Sequence, residues 1–211
     1  LQMGYPRFDG FFRSDWDLAG LAAQYRCDPA RPTVVWLPTW KELSSVPHFL
    51  SAVAALRPHY NVVVKLHPLQ SRDEPALVRL VEQAGLNSVI ADSRDNVPLF
   101  RLADYVLCDY GGSVFGALYT GRKVVLLDVP GAENDALLGA ASPEVELRRV
   151  LPHLGPEEGG QLAGLLADEA LWAAQAGVRP ALIDLFVAPF KGFAGKVAAL
   201  YLQNLEAILD D

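Results

Sequence analysis

Asn61-Val62-Val63-Val64-Lys65-Leu66-His67-Pro68 is the stretch that decides the fold. Its run of valines has the pattern of a strand buried on both faces, as in the middle of a parallel sheet. Pro68 cannot continue a central ladder, so the strand stops there and leaves His67 at its carboxyl end. In open α/β sheets that edge is where ligands bind. An imidazole so placed can meet a phosphate or move a proton, although a histidine that only closes a loop would read the same.

Outward from this stretch, strands and helices alternate. Thr33–Leu37 reads as a strand ended by Pro38, and further strands fall at 88–91, 104–108 and 123–128. Asp15 is placed to cap a helix over Trp16–Tyr25, and Pro47 opens another that runs to about Leu56. A helix over 74–84 is stopped by Gly85, a short one covers 97–102, and a glycine pair opens one over 112–120. This βαβ rhythm, at roughly 25–30 residues per unit, predicts an α/β fold, a Rossmann-like doubly wound parallel sheet with helices on both faces.

After Pro130 the pattern becomes helical, over 143–151, 156–167 and 193–209, with no strand. The last helix carries Val197, Leu200, Tyr201, Leu205 and Ile208 on one apolar face and is expected to pack back on the sheet. Its acidic end (Glu206, Asp210, Asp211) argues against a membrane-surface role. The chain is expected to be one domain over 1–211. Residues 1–30 would be a linker and first helix, 31–130 the sheet core, and 131–211 a mainly helical C-terminal part. Because it opens Leu1-Gln2-Met3, it is expected to be a fragment of a longer chain.

Composition narrows the function. With 211 residues, 51% of them hydrophobic, the chain can bury a large core. A formal net charge of −7 argues against a nucleic-acid surface, which needs a basic face. Cys27 and Cys108 lie far apart and outside any CxxC or Cys/His cluster, so a reduced cytoplasmic setting is expected, with no disulfide framework. No apolar run reaches the roughly 18–20 residues that span a bilayer.

Four loops should meet at the carboxyl edge of the sheet. Pro38-Thr39-Trp40-Lys41-Glu42 offers a hydroxyl and an ammonium, or is simply a solvated loop. His67-Pro68 has Lys65 two residues back on the same strand face and Arg72 just beyond; Lys65 would alternatively snorkel away. Asp92–Asn96, with Val97 and Leu99 following, could hold a nucleobase between apolar side chains. Asp109-Tyr110-Gly111-Gly112-Ser113 lets a backbone come close and directs amides at the start of a helix toward an anion, although a tight turn with a serine cap looks the same. Neither a GxGxxG nor a GxxxxGK[ST] pattern is present.

These segments, in order, resemble a known family. Gly4-Tyr5-Pro6-Arg7-Phe8-Asp9 is similar to a Gly-x-Pro-Arg-x-Asp segment, and Leu37-Pro38-Thr39-Trp40-Lys41-Glu42 to Ala-Pro-Thr-(Trp/Tyr)-Arg-(Glu/Asp). Lys65-Leu66-His67-Pro68 matches Lys-x-His-Pro. Ala103-Asp104 and Asp109-Tyr110-Gly111-Gly112-Ser113-Val114-Phe115 resemble Ala-Asp…Asp-Tyr-Ser-Ser-x-x-Phe. Gly121-Arg122-Lys123-Val124-Val125 is similar to a Lys-Pro-Val strand, and Phe190–Val197 to the start of a final helix. Together the six resemble the C-terminal half of the CDP-glycerol glycerophosphotransferase family, the TagF-like enzymes that polymerise teichoic acid.

The resemblance implies the donor-binding half of a GT-B fold, without a metal or other cofactor and with a CDP-linked donor as substrate. It implies that His67 contacts the donor diphosphate and is needed for activity. Thr39, Lys65, Arg72, Gly111, Gly112 and Ser113 would join it, with Asn96, Val97 and Leu99 at the base and Asp109 in support. A hydroxyl or polymer acceptor and a general base from an N-terminal half would complete the site; the fragment alone would bind donor and turn nothing over. His48, His59 and His153, on helices or at a helix end, are read as structural. The setting would be cytoplasmic, with peripheral attachment at the inner membrane face through the other half. Two departures stand out: Gly111-Gly112 replaces a serine pair, and Lys123 stands where the family has proline. A nucleotide-sugar glycosyltransferase, a UDP-sugar epimerase half-domain and a non-catalytic nucleotide-binding scaffold remain alternatives.

Overall fold

The computed structural model describes residues 4–136, 138–139, 141–187 and 190–205. Six strands form one sheet: β1 (Thr33–Leu37), β2 (Asn61–Lys65), β3 (Ser88–Ile90), β4 (Tyr105–Cys108), β5 (Lys123–Leu127) and β6 (His153–Leu154). Every pairing is parallel and the order is β3-β2-β1-β4-β5-β6. The chain winds outward from β1 in one direction and from β4 in the other. The crevice at this switch point, beyond the carboxyl ends of β1 and β4, is the position at which such sheets bind ligands.

The helices up to β5 are α1 (Asp9–Arg13), α2 (Leu18–Gln24), α3 (Val46–Ala54), α4 (Gln70–Asp73), α5 (Pro75–Gln83), α6 (Val97–Leu102) and α7 (Ser113–Tyr119). Beyond it come α8 (Pro143–Glu146), α9 (Leu162–Leu166), α10 (Glu169–Phe186) and α11 (Ala194–Gln203). Both sheet faces are covered, which is why the strands read as continuous apolar runs. Val35, Val63, Val106 and Val124 pack with Phe8, Phe11, Phe100 and Val114 on one face. Val34, Val62, Leu107 and Val125 pack with Phe49, Val53, Val81 and Trp172 on the other.

Most predicted elements stand within a residue or two of their expected bounds, and Gly85 does stop α5 with a left-handed φ of +69°. The cap of α2 is Asp17 rather than Asp15: its carboxylate accepts the Gly20 N–H at 2.8 Å. Larger differences lie after Pro130. The two-residue strand β6 was not expected, and it moves His153 from a helix end to the sheet edge, where Nδ1 lies 2.7 Å from Asp128 Oδ2. The 18-residue α10 was hidden by Pro180, which reads as a break. The carbonyl that Pro180 leaves unpaired, that of Ala176, is on a solvent-exposed residue, so the helix continues through it.

α10 also passes from one face of the sheet to the other. Trp172 belongs to one core, whereas Leu182, Ile183 and Phe186 pack against the other. At the crossing, the buried Gln175 amide accepts from Val124 N–H at 2.9 Å and donates to Val124 C=O at 2.8 Å, taking a ladder position that β6 is too short to fill. The expectation that the last helix lies on the sheet is corrected. α11 packs on the Pro6–Phe8 segment, with Ala194 buried but Leu200 and Leu202 58% and 70% exposed. Ile208 and the acidic residues Glu206, Asp210 and Asp211 lie outside the described residues.

Candidate nucleotide site at the carboxyl edge of the sheet

β2 ends at Lys65, and Pro68 turns the chain into α4, so His67 stands at the edge as its sequence position requires. Its imidazole stacks on the Trp40 indole, with centroids 4.9 Å apart and planes at 15°. The Leu69 N–H donates to His67 Nδ1 at 3.3 Å. A backbone N–H can only donate, so Nδ1 is the acceptor and the proton of the neutral ring sits on Nε2. Burial, and the Lys65 ammonium to a lesser degree, push the His67 pKa below its usual 6.5, so the neutral form dominates at pH 7. The ring is thus a hydrogen-bond donor held flat against an indole.

Beneath the loops runs a chain of buried polar groups. Asp109, at the end of β4, is fully buried. Its carboxylate accepts from Thr39 N–H at 2.9 Å, and from both the N–H and the hydroxyl of Ser45 at 2.9 Å. The Ser45 oxygen in turn accepts from the Trp36 indole at 3.1 Å. Ser44, next in the chain, accepts from the amide of the fully buried Gln70 at 3.4 Å, and Gln70 is bonded to His67. Beyond the carboxyl ends of β4, β1 and β2, the loops are therefore joined by side chains where the sheet pairing has ended. Burial raises the Asp109 pKa to about 6, the loss of hydration outweighing the three donors and Arg148.

Arg148, whose side chain is 10% exposed, closes the β5 side. It bonds Asp128 at 2.6 Å and the carbonyls of Leu127 and Glu144, and its guanidinium lies 3.7 Å over the Tyr110 ring. Tyr110-Gly111-Gly112 is thereby fixed from one side. On the other side opens a cavity of about 260 Å³ lined by Tyr5, Arg7, Phe8, Asn96, Phe100, Gly112, Ser113 and Gly116. Gly116 has a steric reason: a Cβ there would come within 2.8–2.9 Å of the Phe8 and Phe100 rings. Gly112 has none, since nothing lies within 4 Å of where its Cβ would be, whereas at Gly111 the Thr39 side chain stands 3.4 Å away.

The structure brings some of the expected residues together and sets others apart: His67, Lys65 and Thr39 do not line this cavity. Asn96 and Ser113 share the cavity, Thr39 abuts Gly111, and Asp109 supports both loops from below. Lys65 is 7% exposed, its pKa lowered by burial, and its ammonium has no hydrogen-bond or ion-pair partner among the described residues. Beyond burial, its pKa responds to the charges of Asp92, Arg7, Asp95 and Arg94.

Three assignments are corrected. Arg72 is turned to solvent and paired with its neighbour Asp73 at 2.6 Å, away from the cavity. Val97 and Leu99 are 5% and 0% exposed and belong to the core, because α6 begins at Val97 and turns them inward. Asn96 alone represents that loop in the cavity wall.

Five contributors were not assigned a role from sequence. Arg7 and Tyr5 enter from the N-terminal segment, where Arg7 is held to Asp95 at 2.6 Å. Trp40 lay within a quoted loop, and its stacking partner is 27 residues away. Ser45 precedes Pro47 as a helix-opening serine would, and that pattern could have found it. Nothing in the sequence marks Gln70.

No protein-family model and no curated protein matches the chain. Solved structures do. The wall teichoic acid polymerase TagF aligns with a TM-score of 0.70 at 18% identity, over 100% of this chain and 53% of its own. WaaG, a glycosyltransferase involved in lipopolysaccharide biosynthesis, aligns with a TM-score of 0.58 at 16% identity, over 93% of this chain and 54% of its own. The C-terminal domain of a group 1 family glycosyl transferase (LpcC) from Francisella tularensis aligns with a TM-score of 0.52 at 17% identity, over 84% of this chain and 96% of its own. This chain spans about half the length of TagF and has the fold of the C-terminal half of a GT-B transferase.

Proposed function

We propose that this chain is the donor-binding half of a transferase that moves glycerophosphate from a CDP-linked donor to a hydroxyl acceptor in cell-envelope polymer synthesis. The observation that carries the reading is His67, neutral and with Nε2–H as its free donor, at the ligand edge of a GT-B fold. The choice of CDP-glycerol draws on the sequence motifs and on TagF, one structure of which was obtained after a soak with CDPG.

In this reading Asn96 meets the base, while Ser113 and Thr39 offer hydroxyls, and Gly111 and Gly112 a close backbone, to the diphosphate. The acceptor oxygen attacks the β-phosphorus, the bond to the α-phosphate oxygen breaks, and CMP leaves with the electron pair. His67 Nε2–H donates to the departing phosphate, and the Lys65 ammonium offsets its growing charge in a site of low polarity. The acceptor proton goes to a base on the facing half, and the isolated chain binds donor without turnover. No metal enters the scheme. The matching setting is the cytoplasmic face of the membrane; among the described residues no helix is long and apolar enough to cross a bilayer.

WaaG and LpcC favour a second reading, transfer of a sugar from its nucleotide by attack at the anomeric carbon. Calorimetric titration with CMP, CDP, CDP-glycerol, UDP and UDP-N-acetylglucosamine separates the two. Saturable binding of cytidine ligands, weakened about tenfold or more by His67→Ala and by Ser113→Ala, is the expected result. A preference for uridine ligands would transfer the assignment to sugar donors. Equal affinity of wild type and both variants would overturn the site.

A further inference from the structure

We infer that Gln70 is a positioning residue for His67, holding its backbone and setting its distance from the Trp40 loop. The inference rests on the donor-site reading of His67 given above. Gln70 has no solvent exposure, unusual for an amide unless it is bonded on every side. Its Oε1 accepts the His67 N–H at 3.2 Å, and its own N–H donates to the His67 carbonyl at 2.9 Å. Both polar groups of the His67 peptide backbone are thus tied to one residue.

The Gln70 side-chain NH2 group donates to Ser44 Oγ at 3.4 Å. Ser44 N–H in turn donates to Lys41 C=O at 3.0 Å, closing the turn that follows Trp40. The two rings of the stack therefore come from loops that meet through this one amide. Lys41, between Trp40 and that turn, has a left-handed φ of +55°, a conformation that a non-glycine residue keeps only where its surroundings hold it. Gln70 and Ser44 are part of those surroundings. A merely space-filling residue at 70 would leave the His67 N–H unpaired and the stack free to slide. The Leu69 N–H that fixes the ring tautomer lies inside the same turn, so it moves with it.

The test compares Gln70→Met, similar in volume but without hydrogen bonds, with Gln70→Glu, which keeps an acceptor for the His67 N–H. Two-bond ¹H–¹⁵N correlations of the imidazole report the tautomer, and calorimetry reports CDP affinity. Expected is loss of the pure Nε2–H tautomer in Gln70→Met with affinity down about tenfold, the size of one such bond, and substantial recovery of both in Gln70→Glu. A folded Gln70→Met with wild-type tautomer and affinity overturns the inference, as does a Gln70→Glu variant no better than the methionine one. Should Gln70→Met fail to fold, Ser44→Ala, which cuts only the link to the Trp40 loop, takes its place. An unchanged tautomer and affinity in Ser44→Ala would then count against the inference. If His67→Ala leaves CDP binding intact, the donor-site reading fails, and the tautomer measurement still judges Gln70 by itself.

Discussion

At the scale of single residues, the site depends on two ionisable groups whose pKa values burial moves in opposite directions, each toward its neutral form: His67 is kept neutral, and Asp109 resists ionisation. Asp109 has the clearer consequence. Its pKa rises from 3.8 unfolded to about 6 folded, so between these values the folded state binds more protons than the unfolded one. Its contribution is greatest below about pH 3.8 and is lost as pH rises through about 6. Stability of the wild type relative to Asp109→Asn, which does not titrate, should therefore fall between pH 4 and pH 7. Urea melts across that range test it, and a difference that grows with pH would reverse the sign. The aspartate was legible in the sequence as a supporting residue. That it carries Thr39 and Ser45, residues 70 and 64 positions away, was not, because a hydrogen bond across strands leaves no local pattern.

At the scale of elements, the central strands and α3, α5, α6 and α7 were readable because each is announced by its own apolar period and its own proline or glycine punctuation, whereas the four-residue α4 is too short to carry a period and was not expected. α11 shows the limit of that reading. Periodicity tells which residues share a face, but not what covers it, and here the covering partner is the N-terminal segment. The Asp9 carboxylate caps the helix from the far end of the chain, accepting Ala194 N–H at 2.9 Å and Gly195 N–H at 2.7 Å. A negative charge at a helix start satisfies free amides and opposes the helix dipole. Asp9→Ala should cost about 1–2 kcal/mol. It should also raise amide exchange over 194–203 ahead of the sheet; uniform exchange across the chain would show that α11 is held by other means. Because Arg7 lies two residues from this anchor, the wall of the cavity depends on the same contact.

At the scale of the whole molecule, the two cores flanking the sheet are tied by α10, which crosses from one to the other at Gln175. Gln175→Leu removes the partners of the buried Val124 N–H and C=O. Each lost partner is worth about 1–3 kcal/mol, so a loss of about 2–6 kcal/mol in a single cooperative transition is expected. Two separated transitions in calorimetry would mean that the faces melt independently. The sequence by itself determined the α/β class, the parallel sheet, His67 at its ligand edge and the glycine loop before α7. Each of these follows from short-range chemistry: β-branched runs, a proline that ends a ladder, a glycine where the backbone must come close. Only the tertiary structure decided that Val97 and Leu99 face the core, that Arg72 faces water, and that Arg7, Trp40 and Gln70 join the site. Those outcomes depend on which distant segments exclude water from a side chain. A linear pattern of residue types carries no record of that.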